Sequence, residues 1–128
     1  DSTAQVPRQL NRVAVLLPMM ALEQWRDVES TAQEVLKRDP ENYLARQRLA
    51  FAKYSTRRFS EAEVLYRRLL VLYPSDVEMR AGLAWTVLSM GKSKDAANLF
   101  VQVLALSPGH ASATRGLQAA RAANATGH

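Results

Sequence analysis

Pro40, Pro74 and Pro108 are evenly spaced, so the interval from the first to the second is repeated from the second to the third. Arg12, Arg46 and Arg80 keep the same step, as do Leu36, Leu70 and Leu104. The last two blocks add Leu49/Leu83, Ala50/Ala84, Ser55/Ser89, Ala62/Ala96, Leu65/Leu99, Tyr66/Phe100 and Leu72/Leu106. A period of this length marks an array of supersecondary units, none able to bury its apolar face alone, so each must stack on the next.

Within a block the apolar residues recur at three- and four-residue steps, as at Leu65, Leu69 and Leu72, which is the helical period and not the strand period. Each block therefore holds two helices. The expected helices lie near 9–22, 26–38, 43–55, 60–72, 77–89, 94–106 and 111–122, with no strands. Ser60-Glu61-Ala62-Glu63 and Ser75-Asp76-Val77-Glu78 have capping-box spacing and mark helix starts. Gly91 marks a turn, and the prolines sit where one helix stops and the next begins. The segment from His110 is Ala-rich and polar and reads as a helix closing the open end of the stack. The fold class is therefore all-α: repeats at 9–42, 43–76 and 77–110, a capping helix at 111–122, and flexible ends at 1–8 and 123–128.

These residues resemble the tetratricopeptide repeat, a helix–turn–helix unit of the same length. Leu-Ala at 49–50 and 83–84 takes the family's Leu-Gly place, and Ala62 with Tyr66 and Ala96 with Phe100 supply its Ala-x-x-x-Phe element. The three prolines are its block-ending Pro, while Arg12, Arg46 and Arg80 replace its early Trp. The first block is degenerate: Val28 and Ala32 stand where the small and aromatic residues belong, and Pro18 interrupts its first helix. The resemblance implies a right-handed α-solenoid whose first helices form a concave surface for a partner's peptide or helix. By register that groove is lined by Leu44, Gln47, Arg48, Phe51, Tyr54, Glu78, Ala81, Trp85 and Leu88, with Leu10, Val13, Leu17 and Met20 from the first block. The family's carboxylate-clamp subset is not matched, because its five places hold Val13, Leu17, Arg48, Glu78 and Gly82. An apolar or amphipathic protein segment fits better. By likeness, bacterial members of this size are scaffolds or small chaperones in envelope and secretion assemblies, which is compatible with a bacterial cytoplasm or periplasm and with a part of a larger membrane-associated protein.

Other chemistries find few residues. The chain has no Cys, which excludes disulfides and thiolate sites, and its two His, His110 and His128, lack metal spacing. Gly91-Lys92-Ser93 lacks the earlier glycine of a phosphate loop, since Thr86 stands there. No cofactor or catalytic group is expected, and the chain reads as a non-enzyme. Seven cations cluster in the middle block (Arg46, Arg48, Lys53, Arg57, Arg58, Arg67 and Arg68) and read as a solvated face paired along helices, as Glu63 with Arg67. Nucleic-acid binding is the weaker alternative, and self-association through the groove or the Arg-Val-Ala-Val-Leu-Leu stretch is another. The longest apolar run, 13–22, is about half of what a bilayer needs and contains Pro18, so no membrane span is expected. Pro18 either kinks the first helix or lets residues 9–17 leave the stack. The first residue is Asp1 and not Met, which reads as a processed protein or an excised piece.

Overall fold

The computed structural model describes residues 22–126, which form six helices and no strand. Helix α1 covers 22–38, and α2 (Tyr43–Ser55), α3 (Phe59–Leu72), α4 (Val77–Ser89), α5 (Ser93–Leu106) and α6 (Ala111–Ala125) follow. From α2 onward each helix packs on the next, while α2 also meets α4 and α4 meets α6. One period in sequence is thus a step of two helices along a stack.

Two kinds of joint alternate, and the sequence dictates both. After each block-ending proline the chain enters a helix through a side-chain cap. Asn42, Asp76 and His110 accept from the backbone amides of Ala45, Met79 and Ala113 at 2.9, 3.1 and 3.0 Å, which satisfies an otherwise unpaired donor. The periodic arginines serve the same joints, since the guanidinium of Arg46 donates to the Pro40 carbonyl and that of Arg80 to the Pro74 carbonyl. The other joint is a tight turn through a left-handed residue, Arg57 (φ 65°) or Gly91 (φ 85°). The amides of Arg58 and Lys92 then donate back to the carbonyls of Lys53 and Val87 at 2.8 and 2.9 Å, closing the preceding helix in a Schellman arrangement.

Several expected boundaries move. Ser60 lies inside α3, which starts at Phe59, so it caps nothing. Ser75 is exposed, and Asp76, the next residue, caps α4. Residues 23–25, expected as a connection between helices, are helical, because Glu23-Gln24-Trp25 contains no breaker. Helix α6 continues past its expected end at Ala122 to Ala125, through alanines that favour helix. The expected flexible segment 1–8, the helix before Leu22 and the last two residues lie outside the described residues.

The core is built from rings set onto glycines. Tyr66 of α3 lies over Gly82 of α4, where a Cβ would stand 2.5 Å from the ring, and Phe100 of α5 lies over Gly116 of α6 more closely still. Ala50, Ala62, Ala84 and Ala96, all fully buried, let the helices approach, and Leu69, Leu83, Val87 and Val103 fill the seams. Only glycine permits the ring-to-backbone contact, and the ring and its glycine keep the same separation in sequence in both repeats.

Candidate groove on the α2 face

Helix α2 carries two of its largest apolar side chains outward. Phe51 is 49% exposed and Leu44 50%, an unusual placement for large apolar groups on one helix face. Phe51 meets Trp25 of α1 edge-on at 5.2 Å between centroids and stacks beside Tyr54 at 6.3 Å, and Tyr54 meets Phe59 at 5.7 Å. The rings thus run from α1 across α2 to α3, with Phe51 as the ridge.

A hollow lies on each side of that ridge. Toward α4 is a small apolar one of about 260 Å³, lined by Phe51, Tyr54, Tyr66, Gly82 and Trp85. Its floor is uncharged: burial pushes the Tyr66 hydroxyl up to about 12, so it stays protonated near neutral pH. Toward α1 is an open trough of about 820 Å³, walled by Trp25, Val28, Ala32 and Val35 on α1 and by Leu44, Ala45, Arg48 and Phe51 on α2. Both are concave and mainly apolar, the character of ligand-binding surfaces.

The expected groove is only partly assembled. Leu44, Gln47, Arg48 and Phe51 line the trough, and Phe51, Tyr54 and Trp85 line the smaller hollow. The remaining α4 positions are turned to other work. Ala81 is buried, Leu88 is half-buried against the core, and the Glu78 carboxylate accepts from His110 Nε2 at 2.9 Å. Since His110 Nδ1 takes the Ala113 amide, this is the neutral tautomer with both nitrogens engaged. Trp85 is shared: its indole donates to Ser112 Oγ at 2.9 Å and its ring meets Phe100 at 5.2 Å, leaving part of it to line the hollow. Leu10, Val13, Leu17 and Met20 lie outside the described residues. Trp25, Val28, Val35, Tyr66 and Gly82 were not expected in the site. The signals for them were Trp25 one period before Phe59 and Gly82 one period before Gly116.

The cationic face resolves into pairs. Glu63 takes Arg67 as expected, at 2.8 Å, but Arg68 goes to Glu41 at 2.7 Å and Lys53 bridges Glu29 and Glu61 at 2.8 and 2.7 Å. Arg46 also holds Glu41 at 2.9 Å, and Arg58 grips both oxygens of Glu29 at 3.0 and 2.5 Å. Glu29 joins α1 to α2 and to the turn before α3. The Arg58 hydrogen bonds, with those of Lys53, hold its carboxyl down to about 2, against a burial effect that opposes them. Lys53 is raised although its burial acts downward, because the hydrogen bonds to Glu29 and Glu61 outweigh it. Five of the seven cations thus have carboxylate partners, as expected of a solvated face with internal pairs.

Among the described residues no group of three or more His, Asp or Glu is placed to hold a metal ion, and no helix is long and apolar enough to cross a membrane. No curated protein matches the chain. A family model described as Tetratricopeptide repeat matches residues 19–86, which takes in α1 to most of α4. The chain therefore belongs to the tetratricopeptide repeat family, an interaction fold whose repeats generally mediate contacts between proteins.

Proposed function

We propose that the chain is a non-enzymatic interaction module that holds an apolar or amphipathic segment of a partner protein against Phe51, Tyr54 and Trp85. The observation that carries this reading is the half-exposed Phe51 ring standing over an apolar hollow that ends at Trp85. A ring presented at the edge of a pocket is the kind of anchor that dominates binding energy. The segment is amphipathic because the hollow is apolar while Gln47 and Arg48, on the same face of α2, are polar. The process, by likeness to bacterial repeat proteins of this size, is scaffolding or client shielding in an envelope or secretion assembly.

The test titrates the chain with synthetic amphipathic and acidic peptides of about four helical turns, read by tryptophan emission. An amphipathic peptide is expected to bind, to lose about ten-fold or more in affinity on Phe51→Ala, and to respond little to salt. Preference for the acidic peptide, with a steep fall as salt rises, would move the site to the cationic face and overturn this reading.

A further inference from the structure

The hollow beside Phe51 has a closed counterpart one period later. Its residues Phe51, Tyr66 and Gly82 stand where Trp85, Phe100 and Gly116 stand in the next repeat. There the larger indole of Trp85 rests edge-on against Phe100 at 5.2 Å between centroids, and Phe100 is fully buried. In the earlier repeat Phe51 meets Trp25 and Tyr54 instead, and a hollow of about 260 Å³ stays open beside Tyr66.

The two repeats also differ by one oxygen. Tyr66 and Phe100 both lie on a glycine, but only Tyr66 carries a hydroxyl, and a Cβ on Gly82 would stand 3.0 Å from it. Gly82 and Tyr66 both line the hollow, which puts the hydroxyl at its floor. Tyr66 is only 3% exposed, and among the described residues its hydroxyl has no hydrogen-bond partner. It is not sealed in, since the buried side-chain atoms left without a partner there are Arg46 Nε and Arg80 Nε. An unpaired hydroxyl in such a place costs free energy that a phenylalanine would not. Phe100 shows that packing on the glycine does not require it.

Size and polarity narrow what can enter. Pockets for whole small molecules span about 300–1,000 Å³, so this hollow is of a size for one side chain. No ionised group lines it, and a charge entering it would lose its water without an opposite charge to meet. A wholly apolar side chain suits the walls but strips the Tyr66 hydroxyl of water and leaves it unpaired. A ring that ends in a hydroxyl restores the bond. We propose that the hollow takes a tyrosine side chain of the partner segment, its ring beside Phe51 and Trp85 and its hydroxyl bonded to that of Tyr66. The assignment rests on the peptide-binding reading of this site and gives the bound segment its anchor.

The experiment uses three amphipathic peptides of about four helical turns that differ at one central apolar position, occupied by Tyr, Phe or Lys. Each is titrated into the full chain and followed by tryptophan emission. The Tyr peptide is expected to bind roughly three- to ten-fold more tightly than the Phe peptide, the worth of one hydrogen bond. Tyr66→Phe is expected to abolish that preference while binding the Phe peptide at least as well as wild type. The same variant is expected to unfold at no lower denaturant concentration than wild type, because the hydroxyl it loses has no partner in the free chain. A destabilised Tyr66→Phe chain would make the hydroxyl structural and overturn the proposal. Equal binding of the Tyr and Phe peptides, with both weakened by Phe51→Ala, overturns the tyrosine assignment and leaves the peptide-binding reading standing. Preference for the Lys peptide assigns the rings to a cation and overturns it as well. Binding that ignores Phe51→Ala overturns both readings together.

Discussion

The seam between α5 and α6 and the seam between α1 and α2 occupy the same place in the last and the first repeat and end up with opposite characters. In the first, Phe100 lies on Gly116 and the ring is fully buried. In the second, Ala32 and Arg48 hold the equivalent positions at the same separation, and a trough of about 820 Å³ opens. One helical period can therefore build a closed core or an open surface. If so, Phe100→Ala should be the most damaging single change, costing about 3–5 kcal/mol by loss of a fully buried ring and the cavity it leaves. Chemical denaturation checks this. Val35→Ala, which trims a partly exposed side chain on the wall of the trough, should cost the chain less than about 1 kcal/mol. A comparable loss in both variants would mean that the two seams are not different in kind.

The glycines sharpen the same contrast. Gly116→Val forces a branched side chain into the Phe100 ring and should cost about 1–3 kcal/mol or more. Gly109→Ala, where an added Cβ meets nothing within 4 Å, should leave stability close to wild type. On an exposed helix the substitution of glycine would stabilise by up to about 1 kcal/mol, so the sign at Gly116 reports the ring and not the backbone.

At the open seam an ion pair stands in for apolar closure. Glu29 is tied to Arg58 and Lys53, and its carboxyl is held down to about 2 from an ordinary 4.5. A folded-state value below the unfolded one favours the folded state above the unfolded value, and the gain is lost as pH falls through the folded value. Unfolding free energy should therefore decline between about pH 4.5 and pH 2, by roughly 1–2 kcal/mol once solvent screening of the partly exposed Arg58 is allowed for. Glu29→Gln should flatten that part of the profile.

What could be read in advance follows from where information sits in a periodic chain. The stacking of paired helices was legible because the prolines, alanines and aromatic residues repeat, and the turn at Gly91 because glycine is the residue that tolerates its φ of 85°. The caps were misplaced because Ser60 and Ser75 fit a local motif, whereas Asn42, Asp76 and His110, which do cap, each stand two residues after a proline. The groove was over-assigned on α4 for a related reason. The period shows which residues share a face, but not that Ala81 is buried and that Glu78 is claimed by His110. The glycine receiving each ring was available at the proline-to-proline step, and it fixes how closely successive helices approach.

The smallest predicted effects concern the tight turns at Arg57 and Gly91. Arg57 adopts φ 65° at some cost, partly offset by its guanidinium lying 5.5 Å from the Phe59 ring centre. Arg57→Gly should therefore gain only about 0.5 kcal/mol, from a left-handed strain of about 1 kcal/mol less the lost cation–ring contact. Gly91→Arg should lose about 1 kcal/mol for the same reason, since no neighbour obstructs a side chain there. The equivalent change at Glu23 has the opposite expected sign to the one at Arg57. Inside a helix, glycine costs about 0.5–1 kcal/mol, so Glu23→Gly should destabilise the chain slightly. A gain would show that residue 23 reverses the chain as Arg57 and Gly91 do.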